Sequence, residues 1–288
     1  MKTCFLAIFM MASPFLIQSQ IIENHPILKN ISIVRKNFRN LKSGEIVNKT
    51  ILFKEGKLTT IQTSDVIQNF FYNQKGLLDK STKEKVGSNW KEVINYSFDK
   101  EDRLVKFTKK YEEGGEFVTK TVDLSYQGAR INAVTRKSNN HENFVDDVEY
   151  VVENGLIVRR ISRDRIQQII GKTEYVYANN NIVRHRGLVG EKTIKSYTFD
   201  DKNSVNLLIV ESLFGKNYKV IVPLVSFYEE EFDFQSISKN NELTFTANSE
   251  NYDNKIGKYK YNNLNYPVSC ALSEANGTVK TEVNYYYE

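Results

Sequence analysis

The sequence predicts an all-β fold, a long antiparallel meander of repeated hairpins curled into a barrel or half-barrel, with one short irregular or helical insertion. Three observations predict it. The first is a pattern that recurs eight times: an apolar residue, a spacer, an apolar anchor, a short polar turn and then an aliphatic residue. The anchors are Phe53, Tyr72, Phe98, Tyr126, Val152, Tyr177, Phe199 and Tyr261. Their aliphatic followers are Leu58, Leu77, Leu104, Ile131, Leu156, Ile182, Val205 and Val268. From Tyr72 to Phe199 the anchors are 26, 28, 26, 25 and 22 residues apart, the length of a hairpin and its connection.

The second observation is turn chemistry. Lys54-Glu55-Gly56-Lys57, Glu153-Asn154-Gly155 and Ala178-Asn179-Asn180-Asn181 supply residues that tolerate the positive φ of tight hairpin turns. The third is alternation. Val279, Thr281, Val283, Tyr285 and Tyr287 fall on one face of a strand, and Lys280, Glu282, Asn284, Tyr286 and Glu288 on the other. Val118, Lys120, Val122, Leu124 and Tyr126 share a face in the same way. One apolar and one wet face is the antiparallel signature. The 4 prolines suit a chain whose backbone N–H groups mostly donate to a ladder.

Taken in order, Lys2, the apolar run Cys4–Ile17 and Ser19 read as a signal peptide over residues 1–19. The run is shorter than the about 20 residues of a membrane-crossing helix. Residues 20–288 form one β-repeat domain. Within it, residues 21–44 are an entry strand or ordered tail, and 45–202 are regular hairpins. Asp164–Gly171 reads as a strand-edge connection, despite the helical spacing of Ile166, Ile169 and Ile170. Residues 203–242 are an insertion, because Leu207–Val210 is continuously apolar and Pro223 interrupts a second apolar run. Residues 243–288 are closing hairpins. About 16 or 17 strands result, too many for a flat sheet, since open sheets beyond about 10 strands curl or split.

Tyr96-Ser97-Phe98-Asp99 before Arg103-Leu104 resembles a YD-type repeat, and Tyr197-Thr198-Phe199-Asp200 is similar without the Arg-Leu. Residues from about 94 to 288 resemble an uncharacterised secreted or lipoprotein domain family of Gram-negative bacteria with a porin-like, all-β fold. That resemblance rests on Tyr197–Asn203, on Ser238-Lys239-Asn240-Asn241, and on Tyr259-Lys260-Tyr261-Asn262 with Tyr266-Pro267-Val268 and Tyr285-Tyr286-Tyr287. It implies a fold and an envelope compartment, and no reaction.

Chemistry is sparse. A net charge of +5 with scattered Lys and Arg argues against a nucleic-acid surface. His25, His141 and His185 are isolated, so no zinc pattern forms. Asp99-Lys100-Glu101-Asp102 and Asp200-Asp201 match no calcium loop. Asp123, Glu149 and Glu174 lie on strands where they could face a cavity, with nothing to select among them as a glycosidase pair. Cys270 reads as a small core residue. The 17 Tyr and 17 Phe are the one rich resource, read mainly as cross-strand packing. No catalytic, cofactor-binding or metal residue is assigned and no cofactor is expected. The sequence reading is an exported, non-enzymatic binding module of the periplasm or cell surface, its partner an envelope glycan, lipid or protein. An integral outer-membrane barrel and an extracellular hydrolase are the alternatives.

Overall fold

A computed structural model describes residues 26–36, 46–138, 143–190, 192–226, 233–249 and 252–288. The expected signal segment 1–19, His25, His141 and Glu229–Glu231 lie outside the described residues. Eighteen strands are present among the described residues. The first nine are β1 (Leu28–Lys36), β2 (Ile46–Lys54), β3 (Lys57–Gln62), β4 (Val66–Tyr72), β5 (Leu78–Lys85), β6 (Lys91–Phe98), β7 (Leu104–Glu113), β8 (Glu116–Gln127) and β9 (Arg130–Ser138). The rest are β10 (Asn143–Glu153), β11 (Leu156–Arg163), β12 (Ile169–Ala178), β13 (Asn181–Val189), β14 (Ile194–Phe199), β15 (Glu242–Ala247), β16 (Lys255–Tyr261), β17 (Pro267–Glu274) and β18 (Val279–Tyr287).

Every strand pairs antiparallel with its sequence neighbours, and β1 bonds to both β2 and β18, so the sheet closes into a barrel without an edge. The expected count of 16 or 17 strands falls short because Leu28–Lys36, read as strand or tail, is the closing strand. Asp164–Gln168 forms the turn between β11 and β12, and Ile169–Gly171 already belong to β12.

The hairpin repeat has a physical cause. Each anchor faces the lumen opposite a lumenal partner on the next strand: Phe53 opposite Leu58, Tyr72 opposite Leu78, Phe98 opposite Leu104, Val152 opposite Ile157 and Tyr177 opposite Ile182. A bulge falls at each of these anchors, which re-aims the anchor as the strand approaches its turn. In three repeats the partner lies one residue from the expected follower: Leu78 for Leu77, Ile157 for Leu156 and Pro267 for Val268. Several anchors also latch to the preceding strand. The hydroxyls of Tyr72, Tyr126 and Tyr177 donate to the carbonyls of Leu58, Leu104 and Ile157 at 2.6, 2.7 and 2.7 Å, and Tyr287 donates to Pro267 O at 2.7 Å.

The turns that follow Phe53, Tyr72, Phe98, Tyr126, Val152, Tyr177 and Tyr261 lie at one end of the barrel, and the insertion that follows Phe199 closes that end. It contains α1 (Val205–Phe214), α2 (Tyr218–Val225) and a 3-10 turn at Phe234–Ile237. α1 is apolar apart from Asn206, Glu211 and Ser212, and it buries Val205, Val210, Leu213 and Phe214 while Leu207, Leu208 and Ile209 are half-buried. It packs against β3 while α2 packs against β11, nearly half the barrel circumference away, so the insertion lies across the lumen. Leu213, Phe214, Ile221 and Val222 are fully buried and join the wall residues in one core.

Polar contacts fix the stopper to the turns. Lys57 Nζ donates to Ser212 O at 2.6 Å and Gly76 O at 2.9 Å. Asn217 Nδ2 donates to Glu101 O and Asp102 O at 3.0 and 2.9 Å. The segment Ser238–Asn241 clips the far side: Ser238 Oγ accepts from Ile182 N–H, and Asn240 exchanges two bonds with Asn181. Asn241 N–H donates to Asp200 at 3.0 Å.

Candidate functional site

One hairpin breaks the rule that an anchor faces an apolar partner. The insertion postpones the return strand of the seventh hairpin, so Val205 starts α1 instead of facing Phe199. The residue opposite Phe199 is Glu242. A carboxyl therefore occupies the slot held by leucine or isoleucine in the six earlier hairpins and by Pro267 in the last. Burying a carboxylate is costly without a compensating cation. Burial first, and the Asp233 carboxylate second, push the Glu242 carboxyl up to about 7, with Lys255 pulling it down. Glu242 thus exchanges a proton near neutrality, the property that general acids and proton-linked ligand sites need.

Its surroundings are assembled from the stopper and the wall. A small cleft of about 50 Å³, partly open to solvent, is bounded by Phe199, Val205, Gln235, Glu242, Tyr259 and Tyr285. Gly257 makes the approach possible, since a Cβ there would stand 2.7 Å from Glu242 O and 2.9 Å from the Tyr259 ring. Tyr259 pairs across the strands with Cys270, and burial holds both protonated, the Cys270 thiol being pushed up to about 11. Cys270 is therefore an inert core thiol and not a nucleophile. The cleft presents amide, phenol and carboxyl groups suited to hydrogen bonding a polar ligand.

Above the stopper the lumen changes character. Toward the other end the inward positions of β7, β8 and β9 become Lys109, Lys120 and Lys137. On the opposite face of the same strands stand Lys106, Thr108, Lys110, Asp123 and Arg136, which point outward. Outward charge is general: Arg136 and Lys106 pair with Asp123, Arg130 with Glu149 at 3.0 Å, and Arg159 with Glu174 at 3.4 Å.

Those pairs correct the expectation that Asp123, Glu149 and Glu174 might line a cavity. Register puts all three on the outer face, each against a basic neighbour. The strand face carrying Phe107, Lys109 and Tyr111 points into the lumen. The acidic turns have partners too. Asp99 caps its turn through Glu101 and Arg103 N–H groups and pairs with the Arg103 guanidinium, while Asp102 pairs with Lys75 at 2.7 Å. Asp200 accepts from Asn241 and from the Tyr261 hydroxyl. His185 faces the lumen, its ring centroid 5.0 Å from that of Tyr175. Glu242 went unrecognised in the sequence; the signal that finds it is the acid at a repeat's apolar slot, visible only once the register across the insertion is known.

No protein-family profile matches the chain. No curated protein matches it. Among solved structures, it is similar to a porin-like protein from Bacteroides uniformis at 12% identity and a TM-score of 0.46, covering 91% of this chain and 98% of that one. A porin-like protein from Bacteroides vulgatus is similar at 12% identity and a TM-score of 0.43, covering 92% and 99%.

Proposed function

We propose that this chain is an exported, water-facing β-barrel of the cell envelope that binds a ligand inside its stoppered lumen, without catalysis. The observation that carries the reading is the charge on the outer wall. An outer-membrane barrel presents an apolar outward band about 25 Å tall, and a Lys or Arg at its midplane costs about 2–4 kcal/mol. Here mid-strand outward positions hold Lys106, Asp123, Arg136, Glu149, Arg159 and Glu174 in ion pairs. The stopper closes the hairpin-turn end, which argues for a cup and against a through-channel. Inside that cup, the Glu242 cleft supplies hydrogen-bonding groups on a rigid wall.

The test combines partition with size-selective labelling. Full-length protein should enter the aqueous phase of a Triton X-114 separation. Thr173→Cys, on the lumenal face of β12, should react with a small maleimide and resist a 5 kDa polyethylene-glycol maleimide, while the outward Asn95→Cys should react with both. Detergent-phase partition would overturn the water-facing reading in favour of the membrane barrel. Equal labelling of Thr173→Cys by both reagents would overturn the enclosed cup.

A further inference from the structure

On the wall of the lumen above the stopper, Lys109 of β7 stands directly opposite Lys120 of β8, and Lys120 directly opposite Lys137 of β9. Antiparallel strands are about 4.8 Å apart, so three ammonium-bearing side chains rise from adjacent positions of one concave surface. Like charges directly opposite destabilise a sheet. The wall is also partly shielded from water. Burial, then Lys109 and Lys137, hold the Lys120 ammonium below its usual range, with the Asp146 carboxylate opposing. The acids nearby flank the row without interrupting it: Glu92 pairs with Lys109 at 2.8 Å and Glu113 with Lys137 at 2.8 Å. Asp146 faces Lys120 and Arg160, and its own carboxyl is raised by burial. Three cations held side by side on one concave wall, against their mutual repulsion, match the spaced charges of a multivalent oxyanion.

We propose that the lysine row Lys109–Lys120–Lys137 is the binding site for a ligand carrying several phosphate, sulfate or carboxylate groups. It deepens the cup reading and rests on it. An elongated polyanion laid across β7 to β9 would place successive oxyanions against successive lysines, with Arg160 as a bidentate partner at one end.

Isothermal titration of the full chain tests this, with tripolyphosphate, a sulfated heparin hexasaccharide and phosphatidylglycerol vesicles as probes and maltohexaose as neutral reference. Binding of a polyanion is expected, weakening at higher salt. Lys120→Gln with Lys137→Gln should weaken it about tenfold or more, the loss of about 1.4 kcal/mol. Lys106→Gln with Lys110→Gln removes the same charge from the outer face of β7 and should change affinity about twofold or less. Lys120→Arg, which keeps the charge, should bind within about threefold of the parent and guards against a double variant that fails to fold. Free polyanions and vesicles tell a soluble source from a lipid headgroup, and either supports the site if only the lumenal pair matters. Equal loss in both double variants, preference for maltohexaose, or no binding of any anion would overturn it. A protein whose Thr173→Cys admits the small maleimide and excludes the large one, yet binds no anion, refutes this inference and leaves the cup intact.

Discussion

The two ends of this barrel are built from the same hairpins and obey different physics. At the stoppered end, anchors, apolar partners and α1–α2 exclude water: Leu58, Leu78, Leu104, Ile157 and Ile182 are at most 1% exposed. Toward the other end the same inward positions carry Lys109, Lys120, Lys137 and Arg160, which solvent reaches only in part. The dry end supplies the free energy that holds an 18-stranded closure together without any disulfide among the described residues. The wet end is thereby released from packing duty and free to carry polar groups. Binding chemistry should reside where the repeat stops enforcing burial, and at the one slot of the dry end, Glu242, where it is violated.

The sharpest way to break this contrast is to damage the dry end. Phe214 is 0% exposed and packs edge-on against Tyr96, ring centroids 6.3 Å apart. Phe214→Ala should lower the unfolding free energy by about 3–5 kcal/mol. Thr173→Ala, in the wet half, should stay within about 0.5 kcal/mol of the parent. Urea unfolding at neutral pH measures both, and comparable losses would mean the stopper is not the foundation of the fold.

The next effect belongs to Glu242. Its folded carboxyl titrates near 7 against an ordinary value of 4.5. Between those values the unfolded chain has released the proton and the folded chain keeps it, so stability falls as pH rises through this window and the penalty is complete above it. A displacement of this size corresponds to roughly 3 kcal/mol, an upper value for a cleft that admits solvent. Glu242→Gln keeps the shape and removes the ionisation. It should be more stable than the parent at pH 8 by up to this amount and nearly equal to it at pH 5. Parallel pH profiles for the two proteins would show that Glu242 is not buried as described.

How much of this was legible beforehand divides along the same line. The dry end was written in the repeat: the anchors, the polar turns and the inward faces of β8 and β18 follow from alternation and positive-φ residues, because one apolar face must be buried somewhere. The wet end was not, because alternation marks two faces without naming which is lumenal. Asp123, Glu149 and Glu174 were expected to be able to face a cavity and lie outside instead, since their side of the sheet is set by the neighbours of each strand. Glu242 was hidden for a related reason. A helical stopper separates β14 from β15, and loop length does not fix the register of the strands it joins. The resemblance motif Ser238–Asn241 has its physical role in that gap, pinning the end of the insertion to Asn181 and Asp200.

A smaller effect sharpens the account of the anchors. Tyr126→Phe and Tyr177→Phe each remove one hydroxyl donor and leave the ring in place, so each should cost about 1 kcal/mol, or somewhat more because the Leu104 or Ile157 carbonyl loses a partner. The two sites lie on different hairpins, so the double variant should lose the sum. A loss well beyond the sum would mean the latches act cooperatively around the ring.

The smallest effect concerns the outer wall. Arg136 is 56% exposed and its partner Asp123 41% exposed. In such a setting the attraction is screened by water and salt and opposed by the entropy of holding two mobile side chains, leaving about 0–1 kcal/mol. Arg136→Gln should therefore shift the urea midpoint barely, and added salt should not widen the gap between the two proteins. The lumenal pair Lys109–Glu92 is 19% and 10% exposed, so Glu92→Gln strands an ammonium where little water can compensate and should cost visibly more. If the outer substitution cost as much as the inner one, the outer wall would be shielded from water by something in the folded protein's surroundings, and the contrast between a wet exterior and a partly dry lumen would have to be reversed.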